Sequence, residues 1–205
     1  MKKEYILGIL FFSGLWGISE AVLGDALYSA NVPYASVPLT VIGFILMTIA
    51  QVYFSQKGTA TLIAGLAMLY KFLNIPFFAC HLLGILLMGV CYDLFSSVLK
   101  IKNRSLSAMA AVYLNYALFA LMITYVFRYE HWVHGGSAKI LRHVGISGSM
   151  VALSCAILVP MSFHLGQKIK AYFGRSFNLK LQFVPGSILV VTIGLWIFDI
   201  AVFIV

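Results

Sequence analysis

Seven long apolar runs, separated by short polar segments, constrain what this chain can fold into. They span residues 5–27, 38–54, 59–73, 76–99, 106–127, 144–165 and 185–205. A helix needs about 20 mostly apolar residues to cross a bilayer, and each run reaches or approaches that length. The runs are continuous and do not alternate apolar with polar residues, as the strands of a membrane barrel do. They therefore predict membrane-spanning helices.

Composition supports the same class. The chain is 62% hydrophobic and 10% charged, whereas soluble domains are roughly 45–50% apolar and about 25% charged. These values exclude a disordered tail, a disulfide-stapled secreted domain and an ordinary cytosolic enzyme. No linker is long enough to separate two domains. We therefore predict an all-α, polytopic transmembrane helix bundle of about six to seven spans, forming a single membrane-embedded domain over residues 1–205.

The basic residues predict the side on which the N-terminus lies. Lysine and arginine collect on the cytoplasmic side of membrane proteins, and a cytoplasmic N-terminus puts ten of the fourteen basic residues inside. The outer four are Lys71, Arg128, Lys139 and Arg142. This count requires the short run 59–73 to cross, rather than to form half of a hairpin closed at residues 74–76. The expected location is the cell (inner) membrane, and the expected partner is the lipid bilayer, with no nucleic acid.

Polar side chains within the apolar runs indicate a site. An ionisable group in hydrocarbon costs at least about 2.5–3.5 kcal/mol, so such groups are usually functional. The rise per residue of a helix places a set of polar residues from five runs at one depth, in the outer half. They are Glu20, Asp25, Lys71, Asn74, His81, Tyr125, Arg128 and Asp199. This shared depth predicts an outward-facing pocket.

Five of these residues are the candidate ligand-binding groups: Glu20, Asn74, His81, Asp199 and Lys71. The alternative is that Asp25, Lys71 and Arg128 only extend from helix ends towards water. In that case Glu20 pairs with Lys71, and the two charges neutralise each other.

Small residues recur every four positions along the first run, at Ser13, Gly17 and Ala21. Such a stripe lets another helix approach closely. The partner is either a neighbouring span or a separate subunit, and we take the three residues as a candidate partner interface.

Catalytic and metal-binding motifs are weak. Ser147 and His164 share one run and lie about 25 Å apart along a helix, too far for a Ser–His pair. His131 and His134 form an H-x-x-H that lacks the spacing of a zinc site, and their aromatic neighbours suit a membrane interface. The sequence shows no P-loop. We therefore expect no enzyme activity, no cofactor and no metal.

A family likeness rests on the Ser13/Gly17/Ala21 stripe and on the stretch from His81 to Phe95, HLLGILLMGVCYDLF. Both resemble the substrate-binding S components of energy-coupling-factor vitamin transporters. The segment GISEAVLG, from Gly17 to Gly24, is also similar to the first helix of a group of uncharacterised bacterial multi-pass membrane proteins. S components typically have six spans, whereas seven runs are present here.

The resemblance implies a function. S components hold a vitamin or metal-related ligand in an outward-facing pocket and dock their small-residue first helix onto a transmembrane coupling subunit served by ATPases. The expected function is small-solute binding and uptake. The alternative is a structural or assembly subunit of a larger membrane complex, with the stripe and the basic amphipathic residues 167–183 as its interfaces.

Overall fold

The computed structural model describes residues 3–73 and 79–176, together with the single positions Val190, Ile193, Gly194 and Ile197. Within these residues the chain is helical and contains no strand, which confirms the all-α class. Five helices are long and apolar enough to cross a membrane. They are Glu4–Ser29, Ser36–Tyr53, Cys80–Val98, Arg104–Val126 and Gly136–Tyr172.

Nine α-helical segments follow one another in the described chain. They are α1 (Lys3–Ile18), α2 (Gly24–Ser29), α3 (Ser36–Tyr53), α4 (Thr59–Ala67), α5 (Ala79–Asp93), α6 (Arg104–Leu121), α7 (Glu130–Val133), α8 (Gly136–Arg142) and α9 (Gly148–Ser176). Wider π-helical turns at Ser19–Leu23 and His143–Ser147 join α1 to α2 and α8 to α9. Similar turns, Leu94–Val98 and Met122–Val126, end α5 and α6, and a 3₁₀ helix, Met68–Leu73, extends α4.

Side-chain contacts define the two ends of the bundle. At the N-terminal end, Tyr5 near the start of α1 hydrogen bonds Thr59 at the start of α4, with 3.2 Å between the hydroxyl oxygens. At the same end, Lys170 near the end of α9 donates to the carbonyl oxygen of Val52 on α3 at 2.7 Å. We call the opposite end, which holds the α2–α3 turn together with α7 and α8, the far end.

The short run 59–73 extends along α1 from the N-terminal end of the bundle. α4 starts beside α1 at Thr59 and, through its 3₁₀ extension, brings Tyr70 against Gly17. α5 then returns from the far end to the N-terminal end, where Asp93 bonds Thr61. The described bundle thus consists of the five long helices and the shorter apolar helix Thr59–Tyr70.

The last two predicted runs differ from the helices that the structure describes. The helix predicted at 144–165 is longer in the structure, Gly136–Tyr172, because the helix continues past the apolar residues into charged turns at both of its ends. The predicted seventh run, 185–205, lies outside the described residues, except for the four single positions named above, which are helical and exposed.

The outer face of α9 shows how the bundle meets its surroundings. Leu153, Ile157, Met161 and Leu165 follow one another at intervals of four residues, and each is 52–64% exposed. A contiguous exposed apolar stripe of this kind is unfavourable in water but is the ordinary surface of a helix in lipid. Together with the five long apolar helices, the stripe is what a membrane-embedded helical bundle requires.

Candidate solute-binding cavity

A cavity of about 250 Å³ lies at the far end, between α1–α2, α3, α5, α6 and the α7–α8 segment. Its polar lining consists of Glu20, Ser36, Thr40, Cys80, His81, Asn115, Tyr28, Tyr116, Trp132 and His143. Apolar residues, among them Leu39, Ile85 and Met88, complete the wall. The cavity therefore combines a few polar groups with an apolar and aromatic wall, which is the usual make-up of a small-molecule site.

Glu20 supplies the acid of the cavity. It lies in the π-helical turn Ser19–Leu23 and is only 6% exposed. The indole nitrogen of Trp16, one turn earlier and fully buried, donates to the carboxylate oxygen Oε1 at 3.3 Å. Among the described residues that line the cavity, Glu20 is the only aspartate, glutamate, lysine or arginine. π-Helical turns often occur at functional sites, and this one holds the acidic residue of the described wall.

Asn115 supplies a second acceptor. It lies in the middle of α6 and is 5% exposed, and its side-chain oxygen has no hydrogen-bond partner within the described part of the chain. An unpaired buried polar atom costs about 1–3 kcal/mol. Such atoms are uncommon in folded proteins, so this one needs an explanation.

Two histidines form aromatic pairs in the cavity wall. The ring of His81 stacks on Tyr28, with centroids 5.5 Å apart and an interplanar angle of 18°. The ring of His143 stacks on Tyr116 at 4.7 Å and 27°, and Trp132 meets the same histidine edge-on at 5.0 Å and 86°. The wall therefore presents several flat aromatic surfaces.

Trp132 and His143 also separate this cavity from a second, outer one of about 530 Å³, whose lining includes Lys139 and Arg142. The ammonium nitrogen of Lys139 lies 5.1 Å from the centre of the Trp132 ring and donates to the carbonyl oxygen of His131 at 3.0 Å. Because Trp132 lines both cavities, it lies at the boundary between them.

The structure brings together two of the predicted ligand-binding residues, since Glu20 and His81 both line the cavity. Asn74 and Asp199 lie outside the described residues, and so does the side chain of Lys71, with its predicted pairing to Glu20. Asp25, Tyr125 and Arg128, which sequence reasoning placed at the same depth, are exposed and do not line the cavity.

Sequence reasoning missed Asn115 and His143 as members of this site. A signal for the first existed, because Asn115 is a polar amide within the apolar stretch of α6. His143 follows a polar segment and precedes the predicted run 144–165, so hydropathy assigned it to a loop. In the structure it belongs to the π-helical turn that joins α8 to α9.

The candidate partner interface is covered by the chain itself. Ser13 and Ala21 are buried, and a Cβ atom built on Gly17 would overlap the ring of Tyr70. The stripe therefore lets the 3₁₀ extension of α4 approach α1, which corresponds to the alternative in which the partner is a neighbouring span. These three residues form no exposed surface for a separate subunit, because the neighbouring span already occupies the space that the missing side chains leave.

No three His, Cys, Asp or Glu side chains come together as a metal site in the part of the chain that the structure describes. His134 directs its Nδ1 atom at the carbonyl oxygen of Glu130, 2.9 Å away. His131 belongs to α7, which carries Trp132 to the cavity wall, and His134 caps the end of that helix.

Comparisons of this chain with models of protein families, with curated proteins and with solved structures found no match.

Proposed function

We propose that the protein is an integral membrane solute-binding protein and that its ligand is a small, flat ring compound carrying N–H donors. The observation that carries the proposal is the buried side-chain oxygen of Asn115, which is unpaired among the described residues and lies in the same cavity as the Glu20 carboxylate. Both groups accept hydrogen bonds. A ligand with donors would satisfy Asn115 and would recover the free energy that the unpaired atom costs.

The shape of the ligand follows from the wall. The Tyr28–His81 and Tyr116–His143 pairs present ring faces, and aromatic rings pack favourably in offset stacks or edge to face. A volume of about 250 Å³ is below the usual range of about 300–1,000 Å³ for ligand pockets, which favours a single small ring system over an extended molecule.

Uptake is the second part of the proposal. With the predicted cytoplasmic N-terminus, the cavity at the far end faces the outside. The resemblance to S components then implies that a transmembrane coupling subunit with ATPases moves the solute. A coupled ion is the alternative energy source for this uptake.

A binding experiment tests the proposal. The purified protein in lipid nanodiscs is titrated with small nitrogen heterocycles and with their N-methylated counterparts, which lack the donor. We expect binding of the donor-bearing compounds only. Glu20→Gln should weaken it about tenfold or more, since hydrogen bonds to charged groups contribute about 1.5–3 kcal/mol. Asn115→Leu, which keeps the side-chain size, should weaken it about two- to tenfold, since a hydrogen bond between neutral groups contributes about 0.5–1.5 kcal/mol.

The matched control is Asp25→Asn, an acid-to-amide change at an exposed position of α2, which should leave the affinity unchanged. Cys80, in the cavity wall, gives an independent signal. A bound ligand should slow its reaction with a small thiol reagent, whereas Cys155 is fully buried and should stay unreactive throughout. Equal binding by the wild type and both cavity variants, or no protection of Cys80 by any compound, contradicts the proposal.

A further inference from the structure

A second site lies at the N-terminal end and is independent of the proposed solute cavity. We call it the basic groove: a depression of about 760 Å³ between the ends of α3, α5, α6 and α9. Four basic residues line it, namely Lys57, Lys100, Arg104 and Lys170. No aspartate or glutamate occurs among the described residues of its lining. The groove therefore concentrates positive charge that its own wall does not neutralise.

Two of the four cations are held in position. The guanidinium carbon of Arg104 lies 3.2 Å from the centre of the Phe163 ring, and stacking of this kind leaves the N–H groups in the guanidinium plane available. Lys170 donates to the carbonyl oxygen of Val52 at 2.7 Å. An ammonium group has three donors, so two remain for another acceptor. Both side chains are thus ordered by the protein before any ligand arrives.

Two of these cations lie at positions with a local cost, one to the helix dipole and the other to the backbone conformation. Arg104 begins α6, at the end where the helix dipole disfavours positive charge. Lys100 has a φ of 51°, in the left-handed region that favours glycine after a helix. Both placements cost stability, and both bring a cation into the groove.

The floor of the groove is polar but uncharged. Gln51 donates from Nε2 to the hydroxyl oxygens of Ser96 and Ser97, at 3.0 and 3.1 Å. Its Oε1 accepts from the Tyr92 hydroxyl at 3.1 Å. These groups satisfy one another and support the shape of the groove, without offsetting the charge of its rim.

We propose that the basic groove binds a phosphate group. Arginine and lysine side chains together with a helix N-terminus are the usual partners of phosphate in proteins, and α6 begins at the groove. Basic pockets between membrane helices bind phospholipid headgroups on the cytoplasmic side, which is the predicted side of this end. The phosphate belongs either to such a headgroup or to a soluble molecule.

The experiment compares three conditions for the purified full chain: micelles of a maltoside detergent, which carries no phosphate, the same micelles with inorganic phosphate, and the same micelles with a rising fraction of phosphatidylglycerol. The melting temperature is the readout. A rise with phosphatidylglycerol alone identifies a lipid headgroup, whereas a rise with inorganic phosphate identifies a soluble source. No rise in the wild type under either condition overturns the proposal, and this test needs no variant.

A matched pair of variants separates a site from diffuse surface charge. Lys100→Gln with Lys170→Gln removes two groove lysines. Lys102→Gln with Lys168→Gln removes the same charge from exposed neighbours outside the groove lining. The first pair of changes should raise the ligand concentration that gives half of the maximal rise in melting temperature, by about fivefold for each lysine removed. The second pair should change this concentration little. An equal effect of both pairs overturns the proposal.

Discussion

Asp93 caps α4 from another helix, and its removal should be costly. α4 begins after Gly58, whose φ is 83° and which has no side chain to cap the first turn. Asp93, buried at the end of α5, fills this role: its Oδ2 accepts from the backbone nitrogen and from the hydroxyl of Thr61, both at 2.8 Å. Its Oδ1 accepts from the Ser97 hydroxyl at 3.3 Å.

The magnitude of the effect follows from these bonds. Hydrogen bonds to a charged group contribute about 1.5–3 kcal/mol each, and a negative charge at a helix N-terminus adds about 0.3–1 kcal/mol. The two short bonds thus represent about 3–6 kcal/mol, part of which is offset by the cost of burying the carboxylate. We expect Asp93→Ala to lower the free energy of unfolding by about 3 kcal/mol.

A double-mutant cycle distinguishes the cap from a general packing loss. Thr61→Val removes only the hydroxyl bond and should cost about 1.5–3 kcal/mol. In the Asp93→Ala background the same change should cost almost nothing, because the partner is already gone. The measurement is equilibrium unfolding in mixed micelles, followed by tryptophan fluorescence. Additive effects of the two changes, or a loss below about 1 kcal/mol for Asp93→Ala, would refute the capping role.

Two further stability predictions concern the first helix. Gly17→Ala should destabilise the protein by about 1–3 kcal/mol, because the added Cβ would overlap the buried ring of Tyr70. The control is Gly65→Ala, at a helical glycine with open space around it. This change should be neutral or slightly stabilising in the same unfolding assay. Trp16→Phe removes the indole N–H that donates to the Glu20 carboxylate, together with part of a fully buried ring. It should therefore lower both the melting temperature and the affinity for a cavity ligand. Unchanged affinity, measured by titration, would show that the indole does not hold the carboxylate in place.

Depth within the membrane was predictable for the candidate site. The helical rise places a residue along the span from its position in the run alone, and Glu20 and His81 do reach the same cavity. The direction that each residue faces was not predictable in this way. Asp25 and Tyr125 share the depth but are exposed, because their helices turn those positions outwards.

The sequence by itself determined the class and the approximate bounds of the described spans. A bilayer requires every span to be long, apolar and internally hydrogen bonded, and these are local properties that a single run of residues reveals. Only the tertiary structure decided which polar groups meet. Asn115 and His143 join Glu20 through the rotation and packing of α6 and of the turn between α8 and α9 against their neighbours, and the small-residue stripe faces α4 for the same reason. Such choices depend on contacts between distant segments, which no local pattern encodes.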